Sequence, residues 1–506
     1  MGVVSTQLDE RKGSCLSTDI TGNVGMGSGE SKSPAPHSAH RLNKGVLRVT
    51  DIAAATMANI GPAMSFFFGF GFLAVTAGVA SPLTIVAAGI AIAFLGNTLA
   101  EFSKAQPSTG GFITFIGKSF GPTSAVTTAI IAGIGYIVAM ASVIVIAGGF
   151  LSIVVNKYLK INVPWGIFTV ILVALAVVMM VRGIALSTKI AGFFFAFEMV
   201  VLVIVSVAAL IKHGGSLSIT PFLPSHITNG LSGLSAGFPL AIYLFIGWEN
   251  SAALAEETDN PRKNVPKAVF ASIAIMVVSY VVFAYATVSG FGYNVTKLGN
   301  SPIPFIDVAT GVLGVAAFFA YLAGMTSTVG ALIAGTNSQA RLVFNAGREG
   351  LLPSWIGKVH PERRTPMNAI FAFIGISGLI ILGWTVSNLI GGFTLDPVNF
   401  FAESSTMGTI LVLVVYLGAN VALPFYYKKY LPEKFSAMRH GVLPILGAIT
   451  ILIPLYYLAK PGQPAPYSWY PYIALGVLVV AVIYAIILVK RDPSIADRVG
   501  SIVADE

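Results

Sequence analysis

About twelve apolar stretches run through this chain of 506 residues, each long enough to carry a helix across a hydrocarbon layer about 30 Å thick. They are read at 51–75, 82–102, 122–152, 164–182, 189–211, 232–256, 267–291, 308–341, 367–386, 399–424, 441–459 and 468–489. Lipid offers no partner to a backbone N–H or C=O, so runs of this length must satisfy their own backbone as helices. The fold expected is an all-α integral membrane protein with about twelve transmembrane helices.

Composition and charge agree. The chain is 55% hydrophobic and 10% charged, where a soluble domain carries about 25% charged residues. A net charge of +9 would suit nucleic acid in a soluble protein, but here the basic residues lie in tails, loops and helix ends between apolar runs. With the N-terminus placed in the cytoplasm, all but five of the 30 lysines and arginines fall on the inner side. The five are Lys157, Lys160, Lys212, Lys297 and Lys460. Cytoplasmic loops attract positive charge, so the expectation is a multi-pass cell-membrane protein with both termini inside and an even number of spans.

Several function classes drop out. Cys15 is the one cysteine, so no intramolecular disulfide forms. None of His37, His40, His213, His226, His360 or His440 lies in an apolar run, and no metal site is expected. Phosphate-binding loops, nucleophile–base pairs and cofactor motifs are not apparent, which argues against an enzyme and leaves a gradient as the energy source. A sensor would need an output domain. A channel should conduct without saturating, so flux that saturates with substrate would exclude it.

The first and sixth spans are interrupted. The first holds Asn59-Ile60-Gly61-Pro62, where proline removes a donor and clashes one turn back. The sixth holds Gly237, Pro239 and Gly247. Breaks at corresponding positions of two halves point to a transport site built on inverted repeats. The organisation expected is a disordered tail at 1–45, a ten-helix core of two five-helix halves at 46–425, two additional spans at 426–490 and a cytoplasmic tail at 491–506.

Candidate site residues follow from these breaks. Between Asn59 and Phe68, freed N–H groups and a half-helix N-terminus suit a carboxylate, and freed carbonyls suit an ammonium. Ile60, Gly61, Pro62, Ala63, Met64 and Ser65 are the candidates there. In the sixth span they are Tyr243, Phe245, Ile246, Gly247 and Trp248. Phe66, Phe67 and Phe68 are further candidates for aromatic walls, although packing or lipid contact explains some of these rings equally well. Glu249 in the sixth span and Glu198 in the fifth stand inside apolar runs, where an ionised carboxylate is costly and faces a cavity or a partner. Both are candidates for proton or ion coupling. Ser327 and Thr328 offer hydroxyls that can ligate sodium or bond to Glu198, with helix packing as the plainer explanation of such small residues. Glu403 is a candidate second acidic group for an amine.

Three stretches resemble the signatures of the amino acid–polyamine–organocation superfamily of secondary transporters. They are AEFSKAQPSTGGFITFIGKSFGP from Ala100, FIGWENSAALAEETDNPRKNVPKA from Phe245 and RLVFNAGREGLLPSWIGKVHPERRTPMNA from Arg341. The resemblance implies a five-plus-five, leucine-transporter-like fold with broken first and sixth helices, alternating access, and a small-molecule amino acid or amine carried with H⁺ or Na⁺. It implies that the Gly61 and Ala63 backbone meets the substrate carboxylate. It implies that the backbone of Phe245, Ile246 and Gly247 meets the amino group, that Tyr243 is an aromatic gate, and that Glu249 is the helix-6 acid of proton-coupled relatives. Two departures stand out. Gly61-Pro62-Ala63 replaces the usual Gly-x-Gly, losing a donor and adding a methyl. Glu198 stands where several relatives carry a lysine in place of sodium, so either a sodium ligand or a proton carrier is expected there.

Overall fold

The computed structural model describes residues 42, 44–228, 230–392 and 394–504. Almost all of the expected N-terminal tail therefore lies outside the described residues. The helices in chain order are α1 (Val49–Ile60), α2 (Pro62–Ala77), α3 (Ser81–Ala105), α4 (Gly111–Phe120), α5 (Pro122–Leu159), α6 (Trp165–Val181), α7 (Ile184–Lys212), α8 (Gly230–Tyr243) and α9 (Asn250–Ala253). They continue with α10 (Pro261–Gly290), α11 (Val295–Gly299), α12 (Pro304–Leu313), α13 (Phe318–Arg348), α14 (Met367–Ile390), α15 (Pro397–Tyr430), α16 (Leu443–Ala459), α17 (Tyr470–Arg491) and α18 (Ile495–Arg498). Among the described residues the only β-type pairing is the bridge between Leu47 and Thr258.

Nine helical stretches among the described residues are long and apolar enough to cross a membrane. One of them, Val49–Ala105, contains the first two expected spans, and α6 is a shorter apolar helix. The expected span at 308–341 is not continuous. Gly314 takes φ +55°, α12 ends before it, and α13 starts at Phe318. Outer helices α6, α14, α16 and α17 leave large apolar residues such as Ile171, Leu379, Ile449 and Val480 exposed, as a surface against lipid requires.

The break between α1 and α2 has a local cause. Gly61 adopts φ +60°, a left-handed value that closes α1, and its N–H returns to the carbonyls of Met57 and Ala58. Pro62 then starts α2 at N1, where its missing N–H costs nothing. The second break falls at one of the three positions expected of it, Gly247. Gly237 and Pro239 stay inside α8, where Gly237 lets the helix approach Ala77 of α2. The chain leaves the helix only after Tyr243 and returns at Asn250, with Gly247 at φ +107° between them. The break thus falls where glycine alone tolerates the backbone.

The two breaks touch. The Asn59 side chain donates from Nδ2 to the Gly247 carbonyl at 3.2 Å. Farther along α1, Thr56 shares a 2.8 Å hydrogen bond with Ser251, and Asn250 donates to the Ala55 carbonyl at 3.3 Å. Helices α5, α7, α13 and α15 close around this crossing.

Candidate functional site

Two small cavities flank the crossing. The first, about 40 Å³, is lined by Asn59, Ile60, Met64, Ser65, Met140, Tyr243, Ile246, Gly247 and Gln339, among others. The second, about 20 Å³, shares Asn59 and Gln339 and adds Phe112, Tyr136, Glu249 and Asn250. Each holds a water or a small polar head group and not a whole amino acid, so this conformation is closed around its site.

Of the residues singled out above, Ile60, Met64, Ser65, Tyr243, Ile246 and Gly247 line the first cavity and Glu249 lines the second. Gly61, Pro62, Ala63, Phe245 and Trp248 line neither. Phe245 is buried against Tyr280, and Trp248 packs edge-on against Phe112 and Tyr416. Phe66, Phe67 and Phe68 belong to a ring cluster with Phe70, Phe150, Phe305 and Phe401, not to the cavity wall. Glu403 is half-buried beside Trp384, Tyr467 and Tyr470, away from both cavities.

The expected backbone site for a carboxylate is already filled. The Ala63 N–H donates to Glu198 Oε2 at 3.0 Å, and the Met64 N–H donates to Ser327 Oγ at 3.0 Å. Ser327 is itself hydrogen-bonded to Glu198. Ser327 is among the hydroxyls expected from the sequence as partners of Glu198, but the Ala63 N–H on α2, 135 positions away, was missed. Thr328 is not part of this group. Its hydroxyl bonds to the Met325 carbonyl one turn back in α13.

Glu249 is held from two sides. Tyr136 donates to Oε1 at 2.8 Å and the Gly247 N–H donates to Oε2 at 3.1 Å. Asn59, Tyr136, Met140, Asn250 and Gln339 were not among the predicted binding residues, although Asn59 and Asn250 stand in the motifs quoted for the two breaks. Tyr136 and Gln339 could have been sought as polar groups interrupting apolar spans.

At the basic end of the bundle, the second and third signature stretches meet through ion pairs. Arg341 binds Glu257, Arg348 binds Glu256 at 2.8 Å, and the Leu42 N–H also donates to Glu256. Glu101 pairs with Lys104 at 2.7 Å and contacts His440 at 3.1 Å. These charges hold the segment before α10 to α13, and the end of α3 to the turn before α16.

Discontinuous helices crossing beside a mostly apolar cavity with a few polar groups on its wall define a multi-pass membrane permease. A family model described as "Amino acid permease" matches residues 47–489, and the chain belongs to that family. It is 26% identical to a branched-chain amino acid permease, BcaP, of Bacillus subtilis, over 80% of this chain and 86% of that one. It is 24% identical to a methylthioribose transporter of the same organism, over 87% of this chain and 94% of that one. A manganese transporter mutant from Eremococcus coleocola aligns structurally with a TM-score of 0.48 at 14% identity, over 91% of this chain and 97% of that one.

Proposed function

We propose that this protein is a secondary active transporter that carries an amino acid or a related amine by alternating access, coupled to a proton. The observation that carries the reading is the crossing of two helix breaks at Asn59 and Gly247, with a closed cavity beside it and Glu249 on its wall. The relatives' names, for a branched-chain amino acid and for methylthioribose, support a small polar solute and leave its class open.

Coupling is assigned to Glu198 and Glu249. Both are buried carboxyl groups at the two breaks. A proton is favoured over sodium because the Ala63 N–H points at Glu198, and a cation bound there would face that hydrogen. Loss of the Glu198 contact on protonation frees the start of α2 to move, which links proton uptake to the opening of the first break. Ser327 takes part as the bridge between Met64 and Glu198.

The basic end is assigned to the cytoplasm, with both termini there and the plasma membrane as the site of action. The transport core is assigned to 46–425, with 426–490 adding two spans.

The test is uptake into proteoliposomes containing the purified protein, with and without an imposed pH gradient. Saturable uptake of an amino acid or amine, accelerated by a proton gradient and unaffected by sodium, is the expected result. Uptake that fails to saturate, or that ignores the gradient, would overturn the reading.

A further inference from the structure

We infer that Gln339 is the movable leaf of an inner gate, closing against Asn59 between the cavity that takes the solute and the cavity that holds Glu249. This rests on the transporter reading above and adds to it the residue that keeps solute and coupling carboxyl apart.

The two cavities are stacked along the bundle. Helix α13 finishes at the basic end with Arg348, and it lines the first cavity with Ala331, both cavities with Gln339 and the second with Leu342. Ala331 and Leu342 lie about 16 Å apart along the helix axis, from the rise per residue of an α-helix. Helix α5 starts at the same end, shortly after Lys118, whose ammonium acts on the Glu349 carboxyl. It meets the cavities in the opposite order, the second through Tyr136 and then the first through Met140. Two antiparallel helices thus agree that the Glu249 cavity lies nearer the basic end. A solute leaving the first cavity for that end passes through the second.

Asn59 and Gln339 are the residues common to both walls, so their side chains form the divide. They differ in how they are held. The amide of Asn59 is fixed on both sides. Its Nδ2 donates to the Gly247 carbonyl, and its Oδ1 lies so close to Gly335 that a Cβ there would stand 2.5 Å from it. Gly335 precedes Gln339 by one turn of α13, which sets both on one helix face. Gln339 has no comparable tie at its carbonyl. The residue is 7% exposed, and its Oε1 is buried without a hydrogen-bond partner among the described residues.

A buried acceptor left unsatisfied costs free energy, and an apolar side chain of the same shape avoids that cost. The closed gate carries this cost, and a solute or water entering between the leaves supplies the donor that removes it. An amide at this position therefore favours opening, which packing alone would not require. While the gate is closed, Glu249 is shut off from the first cavity. Proton exchange between them is confined to the moments when the leaf moves, which ties proton movement to solute passage.

The experiment compares wild type, Gln339→Ala and Gln339→Met as purified full chains, and it needs no identified solute. Proton flux is followed in proteoliposomes enclosing a pH-sensitive dye, with potassium and valinomycin carrying the compensating charge and no solute present. Gln339→Ala removes the leaf and joins the cavities, so its flux should be about tenfold or more faster than that of wild type. Gln339→Met refills the space with an unbranched apolar chain, so its flux should stay at the wild-type level. Its melting temperature should equal or exceed that of wild type, because the unsatisfied acceptor is gone. A tight Gln339→Ala, a Gln339→Met as leaky as Gln339→Ala, or a lowered melting temperature in Gln339→Met would each overturn the gate. The melting temperature and flux of Gln339→Met decide the matter even where Gln339→Ala fails to fold. Saturable, gradient-driven uptake by the wild type beside any of these results would show that the gate alone had failed. Absence of that uptake would instead take down the transporter reading.

Discussion

Arg341 and Glu257 lie 84 positions apart and meet with Nε 2.5 Å from Oε2, both side chains fully buried. A second bond runs from Nη2 to Oε1 at 3.1 Å, so the pair is bidentate, and Nη1 donates to the Asn337 carbonyl. Asn337 in turn donates to Ser187 of α7 at 2.8 Å. One guanidinium thereby fixes the segment before α10, the α13 helix and, through it, the start of α7.

Removing one partner of such a pair leaves a buried charge uncompensated, which costs about 3–5 kcal/mol. Glu257→Ala is therefore expected to lower the melting temperature of the purified protein more than any substitution at the exposed Lys297. A melting temperature unchanged from wild type would show that the pair contributes no net stability.

Glu249 is accessible to a prediction on coupling. Glu249→Gln keeps the side-chain shape and can still accept from Tyr136, but it cannot exchange a proton. Initial uptake rates measured from pH 5 to 8 should lose their pH dependence in this variant. Tyr136→Phe removes a bond to a carboxyl group worth about 1.5–3 kcal/mol and should slow uptake while retaining its pH dependence. A Gln variant with the wild-type pH profile would take proton coupling away from Glu249.

Gly247 is held by shape. A Cβ there would stand 2.7 Å from Asn59 Nδ2 and 3.2 Å from the Ile60 nitrogen, at a φ that side chains rarely adopt. Gly247→Ala should abolish uptake by pushing the two breaks apart, and it should lower ligand-induced thermal stabilisation as well. Full uptake in Gly247→Ala would show that the crossing is not needed for transport.

The C-terminal segment docks on the basic end, and its attachment depends on pH. Arg498 donates to the Glu349 carbonyl at 3.2 Å, Gln106 donates to the Gly500 carbonyl at 2.7 Å, and the Ala504 N–H donates to the Pro107 carbonyl at 3.0 Å. Burial pushes the Glu349 carboxyl up to about 7, against the opposing pull of the Gly500 N–H, Asn345, Arg348 and Lys118. In an unfolded or undocked chain it returns toward about 4.3. Between these values the docked state binds the extra proton, so docking strengthens as pH falls from about 7 toward about 4.3, and that contribution is lost as pH rises through about 7. Hydrogen exchange over 495–504, corrected for intrinsic rates, should be about tenfold or more faster at pH 8 than at pH 6. Glu349→Gln should remove that difference.

Much of the architecture was legible because its causes are local. Apolar length marks the membrane-crossing helices, and Gly61-Pro62 marks the first break, since a left-handed glycine and a proline at N1 act within one turn of backbone. The break after α8 was harder to place. Gly237 and Pro239 carry the same local signals, yet α8 runs helical through both, with Gly237 close against Ala77. The aromatic residues show the limit in another way. Phe66 and Trp248 have the chemistry of a cavity wall, but their neighbours on α4, α10, α12 and α15 enclose them in ring clusters.

By itself, the order of residues determined that this chain lies in a membrane, roughly where it crosses, and that its first and sixth segments are interrupted. Those properties depend on hydrophobic length and on backbone dihedrals available to single residues. Only the tertiary structure decided which groups the interruptions leave free. Glu198 reaches Ala63, Tyr136 reaches Glu249 and Asn59 reaches Gly247 across more than a hundred positions each. A hydrogen bond is satisfied by distance and angle in space, and no spacing along the chain records that.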